Sequence, residues 1–131
     1  MVQDIRWKQR FNNFEKAFSS FQEAISIKIP TKIEQAGLIQ IFEFTFELGW
    51  KTLKDLLEEE GFSPKTPRDA IKFALQAGHI SDGHTWLDAL EKRNLMAHTY
   101  DEEKATMAID LIKNRYALIL QELQVYLIKK V

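Results

Sequence analysis

Residues 93 to 100 read RNLMAHTY. Within eight positions they set a guanidinium (Arg93), a carboxamide (Asn94), an imidazole (His98) and a phenol (Tyr100), groups suited to handling a phosphodiester. The planar fork of Arg93 can hold phosphate oxygens and stabilise the added negative charge of a pentacovalent transition state. His98, with an ordinary pKa of about 6.5, can take a proton from one oxygen and give one to another near neutral pH. Together they would cleave RNA without a metal, by attack of its 2′-hydroxyl. Asn94 lies at i to the i+4 of His98 and would share its helical face, either orienting it, contacting a phosphate or only fixing a helix end.

Spacing sets a condition on this chemistry. On an unbroken helix, residues 93 and 98 stand about 140° apart, so their side chains would flank a groove and not lie side by side. Serving one phosphate then requires either a distorted helix or a second chain that supplies half of the site. The negative end of a helix dipole pushes His98 toward the imidazolium, while the Arg93 cation pushes the other way. The same spacing also fits a salt-bridged arginine and a capping histidine with no chemistry at all.

The elements that must position these groups are read from apolar periodicity. Trp7, Phe11, Phe14, Phe18, Phe21 and Ile25 step alternately by four and three, one stripe of a long helix stopped by Pro30. A second helix runs from about Lys32 to Glu60 and ends at Gly61. Its large apolar residues spread over about 200° of the circumference, wider than one core stripe, and Phe44 falls outside even that arc. This helix is either central or shared between core and partner, and Thr45 and Gly49 would let another helix approach closely. Thr66-Pro67-Arg68-Asp69 opens a short helix that Gly78 ends. A fourth runs from about Gly83 to Ala97, with Trp86, Leu90 and Leu95 inward, and delivers the RNLMAHTY segment at its C-terminal end. After a cap at Thr99 or Asp101, a last long helix turns Ala105, Ile109, Ile112, Tyr116, Ile119, Leu123 and Leu127 inward. No strand alternation and no repeat occurs, so the reading is an all-α antiparallel bundle of about five helices.

Composition agrees with one domain over residues 1–131. A chain of 131 residues with 45% apolar content suffices for one core. It has no cysteine, which excludes a disulfide framework and a thiolate metal cluster. Eighteen Lys plus Arg against 19 Asp plus Glu leaves no general basic footprint for duplex nucleic acid, and any RNA contact must come from a local cluster, which Lys51, Lys54, Arg68 and Lys92 could supply, with dispersed surface lysines the default. No apolar run is long enough to span a bilayer and no leader is visible, so the chain reads as cytoplasmic. His79 and His84 bracket a turn at a spacing unlike any common zinc site; they read as exposed turn residues, with no metal even in company with Asp82 and Asp88. No cofactor follows. Trp50 and Trp86 read as core, and Glu58-Glu59-Glu60 as a solvated helix end.

The stretch WLDALEKRNLMAHTYDEE, with GWKTLKDLLEEEGF upstream and NRYALILQELQ in the terminal helix, resembles the HEPN superfamily, defined by Arg-x(4–6)-His. More narrowly it resembles the nucleotidyltransferase substrate-binding proteins that include the HepT toxins, with Arg-x4-His-x-Tyr, here Arg93, His98 and Tyr100. The resemblance covers almost the whole chain. It implies an all-α homodimer whose two facing motifs form a metal-independent ribonuclease cleft, with Arg93 and His98 catalytic. It also implies a toxin–antitoxin pairing with a minimal nucleotidyltransferase (MNT) that silences the nuclease by transferring AMP to Tyr100. The alternative implied by the family's older name is a non-catalytic subunit that binds a nucleotide or presents substrate to the nucleotidyltransferase.

Overall fold

A computed structural model of the chain describes residues 2–97 and 100–131, with the side chains of residues 2–4, 94 and 95 outside the description. Among the described residues every regular element is helical: α1 (Val2–Ile25), α2 (Lys32–Glu59), α3 (Pro67–Gln76), α4 (Gly83–Glu91), a single turn α5 (Arg93–Met96), α6 (Glu102–Leu111), and α7 (Ala117–Ile128), the last two joined through a π-helical turn, Ile112–Tyr116. Counting α4 with α5, and α6 with α7, gives the five expected helical units.

The stripe on α1 is buried: Trp7, Phe11, Phe14, Phe18 and Phe21 are each at most 6% exposed, and successive rings lie 5.7 to 6.4 Å apart. Each such ring contributes about 1.5–3 kcal/mol of burial, enough to commit this face to the core. Phe21 meets Phe42 of α2, while Arg10 donates to Asp55 (2.7 Å) and Arg6 pairs with Glu58 (3.6 Å). Early α1 therefore lies beside late α2, an antiparallel hairpin.

Local chemistry sets the helix ends. Thr31 accepts from the Glu34 N–H while the Glu34 side chain accepts from the Thr31 N–H, a reciprocal capping box. Thr66 caps α3 ahead of Pro67, Asp82 caps α4, and Asp101 caps α6. Gly61 and Gly78 take φ of 96° and 82°, and each ends its helix in a Schellman turn: Phe62 N–H bonds Leu57 O and His79 N–H bonds Ala74 O.

The wide apolar arc of α2 is explained by a central position. A Cβ on Gly49 would lie 3.3 Å from Leu123 of α7, 3.4 Å from Phe14 of α1 and 3.4 Å from Trp86 of α4. Three helices thus close on this one glycine, with Thr45 buried one turn away. Phe44, outside the arc, is 57% exposed.

Two expectations need correction. The fourth helix does not run unbroken to Ala97: Lys92 leaves the helical geometry at φ −81°, ψ 3°, and only the turn Arg93–Met96 follows. The side chain of Lys92 lies over Asp88 one turn back (3.0 Å), an i to i+4 pair that ties the C-cap residue of α4 to its final turn. His79 is not an exposed turn residue. Following the left-handed Gly78, it occupies the position that commonly packs back on the helix, and it is 5% exposed.

Candidate functional site

The break at Lys92 puts Arg93 at the head of α5, where its Nε donates to the Leu90 carbonyl at 3.2 Å and the side chain stays exposed. It borders a cleft of 410 Å³ whose opposite wall is one side of α2, from Gln40 to Glu47. Phe42 and Phe46 floor that wall from the core, and Phe44 stands at its rim. Two carboxylates share the cleft. Glu47 accepts from the indole N–H of Trp50 (3.0 Å) and pairs with Lys51 (3.4 Å). Partial burial raises the Glu43 carboxyl above its ordinary value. The arrangement offers a cation for a phosphate oxygen, an aromatic edge, and two acceptors for hydroxyl or amino groups of whatever enters.

Tyr100 lies just before the Asp101 cap of α6 and is 82% exposed, which leaves its phenol accessible to a second macromolecule. His98 lies outside the described residues, as does the side chain of Asn94. The turn α5 that carries Arg93 ends at Met96.

Lys51, Lys54, Arg68 and Lys92 are paired with Glu47, Glu58, Glu91 and Asp88, so each cation is locally balanced. Trp50 and Trp86 are core residues, as their spacing indicates. Among the described residues no group of three or more His, Asp or Glu side chains could hold a metal ion.

Three polar networks escape a reading of the sequence. Asp55 is 2% exposed and held by Arg10, and the mixed stretch around it, KTLKDLLEE, gives no signal of that burial. His79 lies between Glu60 (Nε2 to Oε1, 2.6 Å) and Tyr126 (Nδ1 to Oη, 2.7 Å). Since a carboxylate only accepts, Nε2 donates to Glu60, and in the neutral ring Nδ1 accepts from the Tyr126 hydroxyl. This histidine borders a smaller cavity of 180 Å³ that neither Arg93 nor Tyr100 lines. The third network joins Asp88, in α4, to the hydroxyl of Tyr116 at 2.5 Å. That bond holds the Asp88 carboxyl below the usual range, and Lys92 and Arg115 add to the effect against the opposing cost of burial. Tyr116 moves the other way: burial first, then its hydrogen bond to Asp88 and the charge there, push its phenol above the ordinary value.

Comparison with known proteins agrees with this architecture. Residues 9–129 match the family described as nucleotidyltransferase substrate binding protein like. A protein of Haemophilus influenzae named as a probable ribonuclease HepT is 37% identical over 75 residues, 53% of this chain and 51% of that one, so the match spans about half of the relative's length. A crystal structure of a Thermus thermophilus protein superposes with a TM-score of 0.79 at 31% identity, covering 87% of this chain and 98% of that one. A second structure, from Haemophilus influenzae, is described as revealing the fold of a substrate-binding domain of a nucleotidyltransferase; it superposes with a TM-score of 0.75 at 28% identity, over 88% and 97% of the two chains.

Proposed function

Starting from the fact that this chain belongs to the nucleotidyltransferase substrate-binding-protein-like family, we propose that it is a metal-independent ribonuclease of a toxin–antitoxin pair, silenced by a partner nucleotidyltransferase. The observation that carries the reading is the placement of Arg93: a break in α4 turns its guanidinium to the mouth of a cleft. The name of the Haemophilus relative supports the activity, and the 82% exposure of Tyr100 supports its role as acceptor.

In the proposed reaction the 2′-hydroxyl of RNA attacks the adjacent phosphorus and the bond to the 5′-oxygen breaks, leaving a 2′,3′-cyclic phosphate and a 5′-hydroxyl. Arg93 stabilises the equatorial oxygens. One His98 accepts the 2′-hydroxyl proton, and the other, from the second chain of a homodimer, protonates the leaving oxygen. Silencing is the attack of the Tyr100 oxygen on the α-phosphorus of ATP: pyrophosphate leaves, the phenolic proton goes to solvent, and AMP remains two residues from His98. The bulky anionic adduct would compete with RNA for Arg93.

A second reading, a non-catalytic subunit that holds a nucleotide for the nucleotidyltransferase, is favoured by Glu43 and Glu47. Two carboxylates in the Arg93 cleft repel a polyanion but can accept hydrogen bonds from a single base or ribose. The test is incubation of unmodified protein and its His98→Ala variant with cellular RNA in EDTA, with the new ends mapped. Cleavage by the wild type and none by a folded His98→Ala is expected. Saturable nucleotide binding with no cleavage by either would transfer the conclusion to the second reading.

A further inference from the structure

Tyr116 closes the π-helical turn Ile112–Tyr116 in the middle of the terminal rod. Such a turn holds one residue more than the α register and re-aims the side chains that follow; it is a local irregularity often met where the re-aimed group is used. Here it delivers one hydroxyl. The Tyr116 ring is fully buried and stacks on Phe42 at 5.6 Å, and Phe42 lines the Arg93 cleft. Its Oη donates to Asp88 Oδ2 at 2.5 Å, and Arg115, also in the π turn, donates to the same oxygen at 3.1 Å.

The other oxygen of Asp88 faces the cleft-forming segment. Oδ1 accepts from Lys92 Nζ at 3.0 Å, and the Asp88 carbonyl accepts the Lys92 backbone N–H at 2.9 Å. Lys92 is the residue at which α4 stops, and Arg93 is next. A lone Lys–Asp pair one turn apart on a helix surface would fix little. This carboxylate differs, because the Tyr116 hydroxyl anchors it from the core side: moving the end of α4 would strand a buried phenol without its acceptor.

We propose that Asp88 is a positioning residue for Arg93: anchored by the Tyr116 hydroxyl and bonded to Lys92, it fixes the end of α4 in place and so aims the α5 turn that brings the guanidinium to the cleft. The inference rests on the reading of Arg93 as the phosphate clamp.

Two measurements on the full chain test it. Hydrogen exchange of residues 92–97 is followed in wild type, Asp88→Asn and Tyr116→Phe, with folding checked by circular dichroism; Tyr116→Phe keeps the stacked ring and serves if Asp88→Asn does not fold. Exchange faster by about tenfold in both folded variants is expected, and unchanged exchange overturns the anchor. RNA cleavage is then measured in a cycle of Asp88→Asn or Tyr116→Phe with Arg93→Ala. The single anchor variant should lower kcat by about tenfold or more with KM little changed, since the aim of the clamp matters most in the transition state. On the Arg93→Ala background the same change should have almost no further effect, whereas a full additive loss would show a merely structural role and overturn the proposal. A wild type that cuts no RNA removes the nuclease reading alone. The exchange result and the same cycle, read on affinity for a single-stranded oligoribonucleotide, then decide the proposal.

Discussion

Asp88 is the residue through which solution conditions act most directly on the end of α4. Its carboxyl titrates below the ordinary value of 3.8 in the folded chain, chiefly because of the Tyr116 hydroxyl. A depressed folded pKa means that the stabilisation is fully present above the unfolded value and is lost as pH falls through the folded one. Thermal unfolding followed from pH 6 downward should therefore drop more steeply below about pH 4 in wild type than in Asp88→Asn. At neutral pH the variant should be less stable by about 1.5–3 kcal/mol, the worth of hydrogen bonds to a charged group. Parallel acid limbs in the two proteins would show that the bond to Tyr116 does not perturb Asp88. None of this is legible from the sequence, where Asp88 and Tyr116 stand 28 positions apart with unremarkable neighbours. Arg93 and Tyr100 are legible because their types and spacing sit within eight consecutive residues.

Among the elements, α2 organises the molecule. Its cap at Thr31 and its end at Gly61 follow from local sequence, but its central place depends on what packs against it. Gly49 marks the point where α1, α4 and α7 converge. A Gly49→Val substitution gains helix propensity, yet its side chain enters space already held at 3.3 to 3.4 Å by three side chains from three helices. Overpacking of about 1–3 kcal/mol should win, and a lowered midpoint in denaturant titration with an unchanged slope is the expected result. A variant as stable as wild type would mean that the three neighbours yield more freely than packed side chains do. Periodicity recovered α1 and the terminal rod well, since a stripe is a local property. It missed the stop at Lys92 and the π turn, since neither interrupts the apolar period that marks a helix in the sequence.

For the whole molecule, the decisive issue is whether one chain holds a complete site. If two copies face each other and each supplies a His98 to one cleft, adding folded His98→Ala protein in excess to wild type should lower the RNA cleavage of the wild type. Activity falling with mixing time, as subunits exchange, is the expected outcome; a mixture as active as its wild-type content alone would refute a composite cleft. No described helix is long and apolar enough to cross a membrane, as the dispersed charges of the sequence indicate. The sequence by itself determined the all-α class and the principal helices, because hydrophobic period and capping residues are properties of neighbours along the chain. Only the tertiary structure decided that α2 is central, that His79 is buried, and that α4 breaks to turn Arg93 toward Glu43 and Glu47. Those outcomes depend on packing and hydrogen bonds between residues far apart in sequence, which no local pattern encodes.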